Sequence, residues 1–340
     1  MNRSKLARST IHAFALILLR CIKGLFWLIF FKKTIYIKSW FGELGNNLIQ
    51  LVHAEFLSEK TNSSLYVPKH PLLQLESNYR FHRFTSDAPL DWGCFTSTLF
   101  LADLKNQVKP SINISTALFR NLFYRYDFFP FNPALTDYRR IFKTKIFPLI
   151  PYRLDPSIHD ETLVIHIRSG DAFKEKGVHS AYVQPPLSFY IKVIETYGYK
   201  DIVIVSQADL RNPCIEQLKH RIPTIKIQTS SLEEDVSTIL SARNLVVAFS
   251  TFSLSLAFSS PNIKQLHIPC FDVEKGYWRT YFWSDFFRLN LKANRKKMND
   301  SALDFKVDFL GIHNYVLIGG WKNSEEQRRL MIEHPLDQVY

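Results

Sequence analysis

Apolar and polar positions in the second half of the chain fall into blocks of two kinds. Short runs of β-branched and aliphatic residues read as buried strands: TLVIHIR (162–168), DIVIVSQ (201–207), TIKIQTS (224–230), NLVVAFS (244–250) and IKQLHIP (263–269). Between them lie segments with apolar residues at helical spacing: PPLSFYIKVIETYG (185–198), CIEQLKHRI (214–222), SLEEDVSTILSAR (231–243) and TFSLSLAFSS (251–260). The first of these starts with Pro and ends with Gly. The third carries Ser231 with Glu234 three positions on, the spacing of a capping box. Strands alternating with helices at this spacing predict a doubly wound α/β domain over 156–285.

The first half begins in the same way. TIYIKSW (34–40) reads as a strand, FGELGNN (41–47) as a turn, LIQLVHAEFLSEKTN (48–62) as an amphipathic helix and SLYVP (64–68) as the next strand. That β-α-β unit is the building block of a parallel sheet and opens a first domain, 34–155. Residues 70–155 are rich in Phe, Tyr and Pro, with short elements such as STALFRNLFYRY (115–126), and PLIPYRLDP (148–156) marks the boundary. Residues 286–340 read as a tail packing on the domains, with RKK (295–297) as solvated surface.

Composition sets the outer bounds. At 340 residues the chain has room for two domains, and 46% apolar content with 28 Phe supports packed cores. The formal net charge of +12 suits a nucleic acid, an anionic membrane face or a phosphorylated ligand. No zinc-finger spacing or basic helical stripe supports the first, so nucleic acid is not expected as a partner. Cys21, Cys94, Cys214 and Cys270 are scattered without a CxxC, which implies neither a metal cluster nor a dense disulfide framework.

Residues 11–31, IHAFALILLRCIKGLFWLIFF, are the most hydrophobic stretch and about the length that crosses a bilayer. Arg20 and Lys23 interrupt it, at roughly 2.5–3.5 kcal/mol each on insertion scales. The segment therefore reads either as a spanning anchor or as a helix lying in the interface with both cations on its polar face. No small-residue cleavage site points to a removed signal peptide. Residues 1–33 are expected to form a membrane anchor: a Golgi type II arrangement in a eukaryote, or the cytoplasmic face of the inner membrane in a bacterium. Basic residues flank both ends, so charge does not fix orientation. Sequons at Asn62, Asn113 and Asn299 are close to chance.

Four stretches carry candidate chemistry. In FGELGNN, Gly42 and Gly45 allow close approach of a ligand to a helix N-terminus, though a glycine turn in any β-α unit looks similar. VIHIRSGD (164–171) puts His166, Arg168 and Asp171 at the carboxyl end of a strand, where parallel sheets bind ligands. Arg168 has the fork that grips phosphate, and Asp171 can hold that fork or bind a hydroxyl; the bland alternative is a surface ion pair beside a core histidine. AFSTFSLSLAF (248–258) sets the hydroxyls of Ser250, Thr251 and Ser253 at a helix start, where they serve as caps or as further diphosphate contacts. Asp235 lies near the start of the 231–243 helix, in a capping or a ligand-binding role.

Taken together, these stretches resemble the fucosyltransferase superfamily, especially the α-1,2-fucosyltransferases of glycosyltransferase family 11 and more distantly the α-1,6- and protein O-fucosyltransferases. GELGNN matches the family's GxLGNQ-like turn, with Asn47 in place of Gln. His166, Arg168, Gly170 and Asp171 match HxRxGD in full. EDV (234–236) and FSTFSLS (249–255) correspond to the family's EDL and NSTFSWW, with Phe249 for Asn and no tryptophans. The matches keep their order across roughly 36–260.

The resemblance implies a GT-B fold: two Rossmann-like domains facing a cleft, the C-terminal one holding the nucleotide sugar and the N-terminal one the acceptor. It implies a metal-independent, inverting transfer of fucose from GDP-fucose to a glycan hydroxyl, without a cofactor. Gly42, Gly45, Asn46, His166, Asp235, Ser250, Thr251 and Ser253 would bind the donor, and Arg168 would neutralise the departing diphosphate. An inverting transfer needs a base for the acceptor proton, and Glu43, Asp171 and Glu175 are the candidates. Two other readings remain open: a transferase using another nucleotide sugar, and a non-catalytic glycan- or nucleotide-binding protein of the same fold.

Overall fold

In a computed structural model the described residues are 34–37, 39–40, 42–61, 64–76, 79–81, 116–119, 134–179, 182–271, 303–315 and 321–340. The apolar segment 11–31 and the basic triplet 295–297 lie outside them. Among the described residues no helix is long and apolar enough to cross a membrane. By contacts the chain divides into two units. One takes in Met1–Phe41, His53–Pro71 and Leu75–Asn132; the other takes in Gly42–Val52, Leu72–Gln74 and Pro133–Tyr340.

In the first unit, β1 (Thr34–Ile37), β2 (Ser64–Val67), β3 (Arg80–Phe81) and β4 (Thr116–Phe119) form a parallel sheet in the order β3-β2-β1-β4. Val67 and Ile37 are buried, with Ala54, Phe56 and Leu57 from the second half of helix α1 (Leu44–Thr61). This helix starts four residues earlier than its apolar pattern predicts. Gly45, Asn46 and Asn47 are poor helix formers, yet tertiary contacts described below hold them in the first turn.

The second unit, to which the first turns of α1 belong, is built on six parallel strands: β5 (Leu163–His166), β6 (Ile202–Val205), β7 (Lys226–Gln228), β8 (Asn244–Val246), β9 (Gln265–Phe271) and β10 (Lys306–Ile312). They run in the order β10-β9-β8-β5-β6-β7. Counted from β5, that is 3-2-1-4-5-6, the order of the doubly wound nucleotide-binding fold, and strand order reverses between β5 and β8. β5 and β6 are buried along their whole length, as unbroken aliphatic runs should be in a sheet covered on both faces. Each such side chain contributes about 1.5–3 kcal/mol by burial.

Helices α3 (Leu187–Tyr197), α4 (Pro213–Arg221), α5 (Leu232–Ser241) and α6 (Thr251–Ser259) connect these strands where the sequence pattern places them. α3 ends on Gly198 at φ +68, and α5 carries the Ser231–Glu234 capping box. Two features differ from the sequence reading. Residues 303–340, read as a tail, supply β10 and helix α7 (Glu325–Glu333). Helix α2 (Leu135–Ile141) was not marked by any strong period, and it carries a buried arginine. Arg139 Nη1 donates to the carbonyls of Phe258 (2.6 Å) and Ser260 (2.9 Å), closing the carboxyl end of α6. Its Nε and Nη2 donate to Asp304 at 2.6 and 3.1 Å. A cation at a helix carboxyl end is favoured both by the free carbonyls and by the dipole.

Candidate active site

The site grows from the carboxyl ends of β5 and β8, the two strands flanking the reversal. After His166 the chain leaves β5, and Gly170 adopts φ +52, a conformation costly for other residues. This turns the chain back so that Asp171 meets Arg168. Nε donates to Oδ1 at 3.1 Å, and Nη2 donates to Oδ1 at 2.9 Å and Oδ2 at 2.8 Å. Nη1 donates to the Phe249 carbonyl at 3.4 Å. The guanidinium also stacks on the Tyr182 ring, 3.9 Å from its centroid. Arg168 is thus a rotationally fixed cation, 17% exposed, at the place where doubly wound sheets bind ligands.

The amino end of α6 completes the frame. Ser250 is its cap, accepting from the Phe252 N–H at 3.2 Å. Thr251 Oγ1 donates to Asn46 Oδ1 at 2.7 Å, and Ser255 Oγ donates to the Gly45 carbonyl at 3.2 Å. Gly45 approaches so closely that a Cβ there would lie 2.6 Å from Phe252 Cα and Thr251 C. Gly42, at φ +65, leads the chain into this contact. The first turns of α1 and α6 are therefore packed against each other, and the Phe249 carbonyl ties the chain just before α6 to Arg168.

His166 is buried, with its ring edge-on to Phe252 at 5.4 Å between centroids. Burial, and then the Arg168 charge, push its imidazole down to about 3, so it is neutral at physiological pH. Its Nδ1 is buried without a hydrogen-bond partner among the described residues, as is Ser253 Oγ.

Of the residues singled out by sequence, Gly42, Gly45, Asn46, His166, Arg168, Asp171, Ser250, Thr251 and Ser253 meet around the start of α6. Asp235 does not join them. It accepts from Gln228 Nε2 at 2.9 Å, in a separate group at the carboxyl end of β7 with Thr238 and Asp155. Burial, and then Glu234, raise its carboxyl to about 6, against the Gln228 hydrogen bond. Glu43 and Glu175 are exposed, and Asp171 has both oxygens on Arg168. Two of the departures from the family pattern, Phe249 and Leu254 (where the family has Trp), adjoin the site residues Ser250 and Ser253 in sequence. Phe249 lends its carbonyl to Arg168 and packs its ring on Phe271, while Leu254 is buried. Cys214 is a buried thiol.

Sequence reasoning missed Tyr182 and the loop between β6 and α4. An aromatic residue at no particular period gives no signal of its own. The run QADLRN (207–212) was readable only as a polar strand end before a Pro-started helix.

No protein-family model and no curated protein sequence matches the chain. The chain is similar to solved glycosyltransferases, fucosyltransferases among them. One is POFUT1 in complex with GDP-fucose, at 12% identity over 69% of this chain and 98% of that one, with a TM-score of 0.38. A second is an Arabidopsis thaliana FUT1 mutant in complex with GDP, at 14% identity over 70% of each chain, with a TM-score of 0.39. A third is TibC, an iron-containing dodecameric glycosyltransferase of enterotoxigenic E. coli, at 13% identity over 90% of this chain and 74% of that one, with a TM-score of 0.42.

Proposed function

We propose that the chain is a glycosyltransferase that takes a nucleoside-diphosphate sugar as donor, and specifically an inverting fucosyltransferase using GDP-fucose. The observation that carries the first part is Arg168, a fixed guanidinium at the reversal of strand order beside the amino end of α6. The sugar, and an α-1,2 linkage to a glycan hydroxyl, rest on the resemblance of GELGNN, HIRSGD and FSTFS to the fucosyltransferase motifs. Attachment to a membrane through residues 11–31 and provision of the acceptor side by the N-terminal part of the chain belong to the same proposal.

In such a transfer the acceptor oxygen attacks the anomeric carbon, and the bond from that carbon to the diphosphate oxygen breaks on the opposite face. Negative charge grows on the departing diphosphate. Arg168 is already fixed in place, so its stabilisation would be larger in the transition state than in the ground state, with the start of α6 as a further source of N–H donors. Asp171 keeps the guanidinium in place and needs no proton change to do so. Glu43, exposed just before α1, and Glu175, exposed after the Arg168 turn, are the carboxylates left to accept the acceptor proton.

The test is a donor screen with the detergent-solubilised full chain, following nucleotide release from GDP-fucose, GDP-mannose and a set of UDP-sugars without acceptor. Release from GDP-fucose alone is the expected result. Release only from another donor would overturn the sugar assignment. Tight nucleotide binding without release from any donor, with or without glycan acceptors, would identify a binding protein instead.

A further inference from the structure

The turn that carries Arg168 is held from outside as well as by its own Arg168–Asp171 pair. Its successive backbone groups are gripped by the loop that follows β6, the strand beside β5. The Ser169 N–H donates to Gln207 Oε1 at 2.6 Å, and the Gly170 N–H donates to Asp209 Oδ1 at 3.1 Å. Ser169 Oγ accepts from the N–H groups of Arg211 (2.7 Å) and Asn212 (3.3 Å). Asn212 Nδ2 donates to the carbonyl of Arg168 itself at 3.0 Å. Leu210 takes a positive φ of +46 within this loop, which turns the following N–H groups toward Ser169. The loop is fastened in turn by Arg328 of α7, whose Nη1 and Nη2 donate to the Arg211 carbonyl at 2.8 and 2.9 Å.

Asn212 is the hub of this arrangement. It is 1% exposed, and its two amide atoms have opposite duties. Oδ1 accepts the Cys214 N–H at 3.0 Å and so caps α4, while Nδ2 holds the Arg168 carbonyl. A donor on one side and an acceptor on the other leave one orientation for the amide. We propose that Asn212 is the positioning residue for Arg168: it locks the arginine's main chain to the rigid amino end of α4 and so aims the guanidinium at the donor diphosphate. Side chains that meet developing charge must be held within about half an ångström, and a turn built on a glycine cannot supply that rigidity by itself. This inference rests on the donor-site reading above.

Two substitutions separate capping from tethering. Asn212→Asp keeps the capping oxygen and replaces the tethering N–H by an oxygen that faces the Arg168 carbonyl. Asn212→Ser retains a capping hydroxyl but is too short to reach that carbonyl. Nucleotide release from GDP-fucose is measured between pH 5 and pH 8.5 for wild type, both variants and Arg168→Ala, with melting temperatures alongside. Asn212→Ser should lose about tenfold in kcat at every pH, the scale of one hydrogen bond. Asn212→Asp should lose at least as much at pH 8.5. It should recover toward wild type as the pH falls, because protonation of a buried carboxyl restores an O–H donor to the Arg168 carbonyl. A purely capping role would not produce that recovery. Wild-type kcat in a folded Asn212→Ser, with Arg168→Ala impaired, would overturn the tether and leave the donor site standing. Wild-type turnover in Arg168→Ala would overturn the donor-site reading, and the tether with it. Should Asn212→Asp fail to fold, Asn212→Ser decides alone.

Discussion

Thr251 Oγ1 donates a hydrogen bond of 2.7 Å to Asn46 Oδ1, joining the first turn of α6 to the first turn of α1 across 205 positions of sequence. The bond places the GELGNN turn in the same unit as Arg168, so the earliest motif in the chain and the later ones form one neighbourhood. Gly45 permits it, because nothing larger fits between the two helix starts.

Gly45→Ala should therefore separate those helix starts. Its Cβ would meet backbone atoms of Thr251 and Phe252, which have no rotamer by which to withdraw. Overpacking of this kind costs about 1–3 kcal/mol. Urea unfolding should show a loss of that size, and nucleotide release should fall further than stability explains. A variant with wild-type unfolding and turnover would show that the close approach is dispensable.

The buried Arg139 should matter to stability rather than chemistry. Arg139→Ala leaves the carbonyls of Phe258 and Ser260 without their donor and exposes the end of α6. The expected cost is about 2–3 kcal/mol, below the range for a wholly buried pair because Asp304 is open to solvent. Burial alone would raise the Asp304 carboxyl, but hydrogen bonds and charge from Arg139 and Lys143 hold it well below the usual carboxylate range. Its contribution is therefore present above about pH 4 and is lost as the pH falls further. Asp304→Asn should flatten the acid limb of the wild-type stability curve. An unchanged limb would refute the pairing.

Asp235 carries the opposite sign. Its folded value of about 6 lies above that of the unfolded chain, so the unfolded state gives up its proton first. Stability should fall as pH rises from about 4 to about 6, by about 1–2 kcal/mol from this group once solvent screening of a half-buried carboxyl is allowed for. Asp235→Asn should remove that fall, read as the wild-type minus variant difference in urea unfolding at pH 4.5 and pH 7. Parallel curves for the two proteins would contradict it.

Much of the architecture was legible because two periods dominate the second half of the chain. Aliphatic runs such as DIVIVSQ can be buried only on both faces of a sheet, and the Ser231–Glu234 box marks a helix start chemically. The sixth strand was not legible. KVDFLGI (306–312) alternates weakly and lies at the sheet edge, where a strand needs less apolar surface. HIRSGD pointed to Arg168 because a guanidinium after a buried strand has few structural reasons to be there. Nothing in the local pattern marked Tyr182 or Asn212, since their roles depend on which loops lie side by side. Strand order decides that, and local sequence does not encode strand order.

The central claim is that Arg168 meets the charge that develops on a departing diphosphate. The most direct measurement is single-turnover nucleotide release from GDP-fucose by wild type, Arg168→Lys and Arg168→Ala, with melting temperatures recorded for each. Losing one preorganised donor should lower the rate for Arg168→Ala by roughly 10²–10³. Arg168→Lys should fall between, because lysine keeps the charge and loses the fork. All three proteins should melt alike. Comparable rates in wild type and Arg168→Ala would show that the strand-end arginine is an ion pair with Asp171 and nothing more.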